Sequence, residues 1–152
     1  AVNREAPFIL RVVCNSPPET MGALHVDWCV WDAGREVDDI FGMDVGLMPQ
    51  PDDQWAKGKC GLKALQYMSM GIPAVGGRSG VLPDIIANGA NGYLAATDDE
   101  WRHGLLALVR DVAHRQALGS AAQTTVQHTY SAQVAAAQLN SILHAISRPA
   151  PR

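Results

Sequence analysis

Lys57, Lys59 and Lys63 converge on the start of a segment in which Leu62, Leu65 and Met68 recur at helical spacing. Gly58 and Gly61 open that segment, Gly71 sits where a left-handed C-terminal cap belongs, and Pro73 prevents continuation. Cations at a helix N-terminus face the positive end of the macrodipole, which disfavours each by roughly 0.3–1 kcal/mol. A bound anion would relieve that conflict. The backbone N–H groups of Gly61 and Leu62 lack intrahelical acceptors, glycine permits close approach, and Lys59 and Lys63 add charge, so the implied chemistry is phosphate binding. Taken on its residues alone, the same cluster also fits a solvated face balanced by Asp52 and Asp53. No Ser–His–Asp or Cys–His constellation is readable, and His25, His103, His114, His128 and His144 form no zinc-like spacing.

The elements that must position these residues follow from alternating apolar and amphipathic runs, the pattern of a parallel sheet covered by helices on both faces. The spacing predicts an α/β fold with a doubly wound sheet. Strands are expected at Phe8–Cys14, Val26–Val30, Asp44–Met48, Ala74–Gly76 and Tyr93–Ala95. A short helix is expected at Val37–Phe41, the lysine-rich helix follows a long loop through Trp55, and another helix runs near Val81–Asn88. From Asp98 the chain reads as helical, with Trp101, Leu105, Leu108 and Val112 on one face and Ser131 capping a last helix through Ile146. Residues 1–147 form one domain and 148–152 a frayed tail. Ligands of such sheets bind at the carboxyl ends of the strands. The turn Gly76-Gly77-Arg78-Ser79-Gly80 lacks dinucleotide-loop spacing and reads as a tight turn, with Arg78 a secondary candidate.

Net charge of −3 and a pI near 5.9 argue against a broad nucleic-acid surface, so the local basicity marks a site. Cys14, Cys29 and Cys60 have no metal-ligand spacing and read as buried, reduced thiols, which suits the cytoplasm. No apolar run reaches the roughly 20 residues of a membrane span. Trp31, following a strand, fits core packing, the commoner role for an aromatic there, or stacking on a nucleotide base, whereas Trp28 and Trp101 are assigned to packing.

The strand Asp44–Met48, the helix opening Gly61-Leu62, its end Met70-Gly71-Ile72-Pro73, then Gly80, Pro83, Asp84 and the turn Gly89-Ala90-Asn91-Gly92 occur in a specific order. Trp101, Asp111, Arg115, Leu118-Gly119 and Tyr130-Ser131 follow at matching spacing. From residue 44 onward this pattern resembles the C-terminal, donor-binding half of GT-B-fold glycosyltransferases of glycosyltransferase family 4. The resemblance implies one Rossmann-like half of a GT-B fold, lacking its first strand, that belongs to a longer enzyme. It implies transfer of a sugar from a nucleotide-diphosphate sugar to a glycan or glycoconjugate acceptor by a retaining hexosyltransferase, as in polysaccharide biosynthesis, with no cofactor and no metal required. The diphosphate falls to Lys59, Gly61, Leu62 and Lys63, and the ribose to Gln66.

Two family glutamates are replaced here by Gly58 and Gln66; the amide still hydrogen-bonds a ribose, but Gly58 offers the sugar no side chain. The catalytic group is not visible. The alternatives are an inactive nucleotide-binding or assembly module and, more distantly, a GT-B-like sugar-nucleotide epimerase. The expected partners are the nucleotide-diphosphate sugar, an N-terminal acceptor-binding domain, and a second copy through a dimer or strand-swapped assembly. Nucleic acid is not expected, and membrane attachment would be peripheral, at the inner face.

Overall fold

In the computed structural model, residues 2–147 apart from 20, 21 and 23 are described, so the expected frayed tail lies outside the described residues. Strand β1 (Ile9–Val13) pairs in parallel with β2 (His25–Cys29), Ile9 lying opposite His25. Strands β3 (Gly46–Met48), β4 (Ala74–Gly77) and β5 (Gly92–Ala95) form a second parallel sheet in that order, with Ala74 between Gly46 and Gly92. Parallel strands with helical crossovers bear out the α/β class. Among the described residues no backbone pairing joins the two sheets, so β1, β2, β3 and β5 each have one edge without a partner strand.

The helices are α1 (Val2–Glu5), α2 (Glu36–Phe41), α3 (Gln54–Lys57), α4 (Leu62–Ser69), α5 (Leu82–Ile85), α6 (Asp98–Arg110), α7 (Val112–Thr125) and α8 (Ala132–Ser147). A π-helical turn, Val126–Tyr130, separates the last two. Because side chains alternate across a strand, β4 feeds two apolar clusters. Ala74 joins Met68, Leu82, Ile85, Ile86 and Ala122 on one face; Val75 joins Leu108 and Leu118, with Trp101 and Leu105 against them, on the other. Each such aliphatic side chain, fully buried, stabilises the fold by roughly 1.5–3 kcal/mol. The central position of β4 therefore fixes everything attached to its ends.

Several elements differ from expectation. Helix α5 is far shorter than Val81–Asn88, because the Asn91 side chain accepts from the Ala87 N–H (2.8 Å) and donates to the Ile85 carbonyl (3.3 Å), a local alternative to the helical ladder. Asp111 leaves the helical conformation and caps α7 by accepting from the His114 N–H (2.9 Å), so Val112 is exposed and not on the face of Trp101 and Leu108. Trp55 sits on α3, which Asp53 caps by accepting from the Ala56 N–H (2.6 Å), and not on an open loop. Cys60 is exposed, and Cys14 and Cys29 are half-buried, so the thiols are free but not core groups. Trp28 is also more exposed than packing alone would need; its indole N–H donates to the Cys14 carbonyl at 3.3 Å.

Helix α1 is held on α6 by Glu5, which pairs with Arg102 (2.7 Å) and Arg110 (3.2 Å). The Arg102 hydrogen bond holds the Glu5 carboxyl below its ordinary value of 4.5. A carboxyl lowered in the folded state contributes fully above that ordinary value and loses its contribution as pH falls through the folded value. Glu5→Gln is therefore expected to lower the thermal midpoint slightly near neutrality, where the contribution is fully present, and to converge with the parent in acid, so that its midpoint falls less steeply below pH 4.5. An unchanged acid limb would show that this clamp is not coupled to folding.

Candidate functional site

Helix α4 starts against the core in a way only glycine allows. Gly61, the N-cap, has φ 72°, and a Cβ there would lie 2.5 Å from Ile85 Cδ1 and 3.1 Å from Val81 Cγ1. The first intrahelical bond from this cap runs from the Leu65 N–H to the Gly61 carbonyl at 3.2 Å. The N–H groups of Leu62, Lys63 and Ala64 in the turn before it have no protein acceptor among the described residues. The Leu62 side chain points away from the core and is exposed; Ala64 and Met68, with Leu65 and Tyr67, form the packed face instead. Leu62 thus brings only its amide to the site.

The three lysines do not crowd one helix end. Lys57 closes the last turn of α3, where a cation suits the negative pole, and pairs with Asp52 at 3.1 Å. Lys59 lies exposed in the link before α4 and has no ion pair among the described residues. Lys63, in the first turn of α4, bonds Glu36 Oε1 through Nζ at 2.6 Å. A carboxylate of the chain itself thus relieves the conflict for which an anion was expected.

Glu36 is the residue that sequence reasoning missed. The hydrogen bond from Lys63 holds its carboxyl below the ordinary 4.5, and hydrogen bonds from the Trp31 and Gln66 side chains lower it further. Lys63, Gln66 and Trp31, which the sequence nominates separately, therefore meet at one carboxylate. Gln66 Oε1 is buried without a hydrogen-bond partner. No local signal could have revealed the pairing, because Glu36 and Lys63 are 27 positions apart and belong to different helices. The available hint was an acid at the start of a short helix.

Beside this cluster lies a cavity of about 380 Å³ between β1, α2 and α4. Trp31, Glu36, Lys63 and Arg11 line it together with the more buried Asp39, Ile40 and Tyr67. A second cavity of about 520 Å³ lies at the carboxyl ends of β3, β4 and β5, against Gln50, Asp52, Arg78, Ser79 and Trp101. Arg78 there is already paired with Glu100 (3.1 Å) and donates to the Leu94 carbonyl (3.3 Å), consistent with a structural turn. His114 Nε2 bonds the Tyr93 hydroxyl at 2.9 Å, also a structural role. Among the described residues no cluster of His, Cys, Asp and Glu has metal-binding geometry, and no helix is long and apolar enough to cross a membrane.

This chain's helix start, glycines and following strands coincide with a known sequence pattern. Residues 38–111 match the family model for glycosyl transferases group 1. The matched stretch runs from α2 through α6 and includes Lys59, Gly61, Leu62, Lys63 and Gln66, but ends short of Trp31 and Glu36. No curated protein matches the chain in sequence. Among solved structures, the C-terminal domain of the glycosyl transferase group 1 protein LpcC from Francisella tularensis superposes with a TM-score of 0.61 at 20% identity, over 73% of this chain and 56% of that one. Sucrose-phosphate synthase from Thermosynechococcus elongatus gives 0.69 at 17% identity, over 80% of this chain and 30% of that one. Anabaena HepE in complex with UDP gives 0.63 at 16% identity, over 80% and 32%. At these identities the likeness establishes the fold, and the chain spans little more than half, or about a third, of the structures it matches.

Proposed function

We propose that this chain binds the nucleotide-diphosphate sugar donor of a glycosyltransferase that delivers the sugar to a glycan or glycoconjugate. The observation that carries this reading is the start of α4, where three N–H groups lack protein acceptors and Lys63 lines a cavity together with Trp31 and Glu36. A diphosphate suits the amides and Lys59, a base suits the Trp31 ring, and ribose hydroxyls suit the polar groups at Gln66. Negative charge that develops on the leaving diphosphate would be stabilised by the same donors, so binding and catalysis share them without a metal. The group 1 match and the UDP-bound and UDP-glucose-bound HepE structures support the donor class. Residues 1–147 act as one donor-binding unit of a larger, retaining enzyme, in the cytoplasm or at the inner membrane face, and the unpaired sheet edges give a second copy a place to associate.

Titration with UDP, GDP and their sugars tests the reading. Lys63→Ala is expected to weaken nucleoside diphosphate binding by about tenfold or more, because it removes one cation and leaves Glu36 unneutralised beside the phosphates. Lys59→Ala, which removes an exposed charge, is expected to cost about threefold to fivefold. Unchanged affinity in both variants would overturn the site, and absence of any nucleotide binding by the full-length protein would overturn the function. A second reading, a binding module without transfer activity, is favoured by Gly58 and Gln66 standing where carboxylates are expected. Nucleotide binding without sugar transfer in the full-length protein would establish it.

A further inference from the structure

Glu36 does more than a surface ion pair requires. Exposed pairs usually contribute little to stability, and their long side chains rarely hold one geometry. Here one carboxylate bonds the Lys63 ammonium at 2.6 Å across two helices and shares the lining of one cavity with Trp31, Arg11 and Tyr67. Its side chain is 28% exposed and Lys63 is 48% exposed, so both remain open to the cavity they line. The same cavity carries the ring of Trp31 and lies one turn from the free amides of α4. An aromatic face, an ionised carboxylate and an anion platform in that order match the base, vicinal diol and phosphates of a nucleotide.

We propose that Glu36 is the internal counter-ion of Lys63 and is exchanged when the donor binds: Lys63 moves to the diphosphate, and the freed carboxylate accepts hydrogen bonds from the 2′- and 3′-hydroxyls of the ribose. This rests on the nucleotide-sugar reading above. It explains how a site with Gln66 in place of an acid still offers the ribose a charged acceptor, since the charge comes from the start of α2. A carboxylate has two acceptor oxygens for two neighbouring hydroxyls, and such charge-assisted bonds are about twice as strong as neutral ones. Lys63 needs only to rotate its flexible stem, because its backbone already sits in the first turn of α4.

The exchange predicts effects of opposite sign on two probes. In Glu36→Gln, Lys63 loses its counter-ion and inorganic pyrophosphate is expected to bind about threefold to tenfold tighter. In the same variant, the preference for UDP and GDP over their 2′-deoxy counterparts, about ten- to hundredfold in the parent, is expected to shrink to about twofold. Glu36→Asp, which keeps the charge on a shorter arm, should retain weak pyrophosphate binding and part of the discrimination. The measurement is calorimetric titration of the full-length protein, with circular dichroism confirming that each variant is folded. Deoxynucleotide discrimination that survives Glu36→Gln, or pyrophosphate affinity that fails to rise, would overturn the exchange while leaving nucleotide binding in place. Loss of all nucleotide binding in the unmodified protein would instead remove the donor-site reading itself.

Discussion

Gly61→Ala is expected to destabilise the protein by about 3 kcal/mol and to weaken diphosphate binding in the molecules that remain folded. Two costs add at this position. The backbone is left-handed at φ 72°, where an L side chain costs roughly 1–2 kcal/mol. The new methyl also enters a filled space, 2.5 Å from Ile85 Cδ1, and Ile85 is only 2% exposed, so it has nowhere to retreat. The two costs separate in a double-mutant cycle. Ile85→Val deletes the clashing Cδ1; alone it should cost about 0.5–1.5 kcal/mol, but it should make Gly61→Ala about 1 kcal/mol cheaper, leaving the backbone cost behind. Urea denaturation of the four proteins measures this, and strict additivity would show that packing against Ile85 plays no part. Because relief of the clash requires the first turn of α4 to shift, pyrophosphate affinity should fall with Gly61→Ala and recover partly in the double variant.

The parts of this site that obey local rules were legible in the residues themselves. Gly71 adopts the left-handed backbone expected of it and Gly61 opens α4 as its position implied, while Pro73 follows the end of α4 and leads into β4. The β3–α4–β4–β5 order was readable because each strand is a short apolar run bounded by glycine or proline. What pairs across the fold was not readable. Lys63 and Glu36 meet because β2 leads to α2 and β3 to α4, two crossovers whose relative placement depends on sheet order and not on any local spacing. The same limit affected the thiols. An apolar neighbourhood in sequence made Cys60 look buried, whereas it lies in the exposed link that turns the chain into α4.

Gly119→Ala is expected to be the more severe change for folding and the milder one for ligand. A Cβ at Gly119 would lie 2.0 Å from the Gly71 carbonyl oxygen and 3.0 Å from its carbon, so α7 would meet main chain and not a side chain that can rotate. Gly71 cannot yield easily: its φ is 75°, and its N–H donates to the Met68 carbonyl at 3.1 Å to close α4. The helix must therefore lift, loosening Leu118 and Ala122, which are 5% and 0% exposed. Alanine gains up to about 1 kcal/mol in helix propensity, but overpacking against rigid backbone should outweigh it, for a net loss of about 3 kcal/mol or more. The disturbance falls at the C-terminal end of α4, while the free amides and Lys63 lie at the opposite end, so pyrophosphate affinity of the folded fraction should stay within about twofold. Comparing denaturant midpoints with binding constants separates the two glycines: Gly61 couples stability to the anion platform, and Gly119 holds the far end of the same helix in place. Equal loss of affinity in both variants would mean that α4 moves as one rigid rod, and that its phosphate-binding turn is positioned by packing along its whole length.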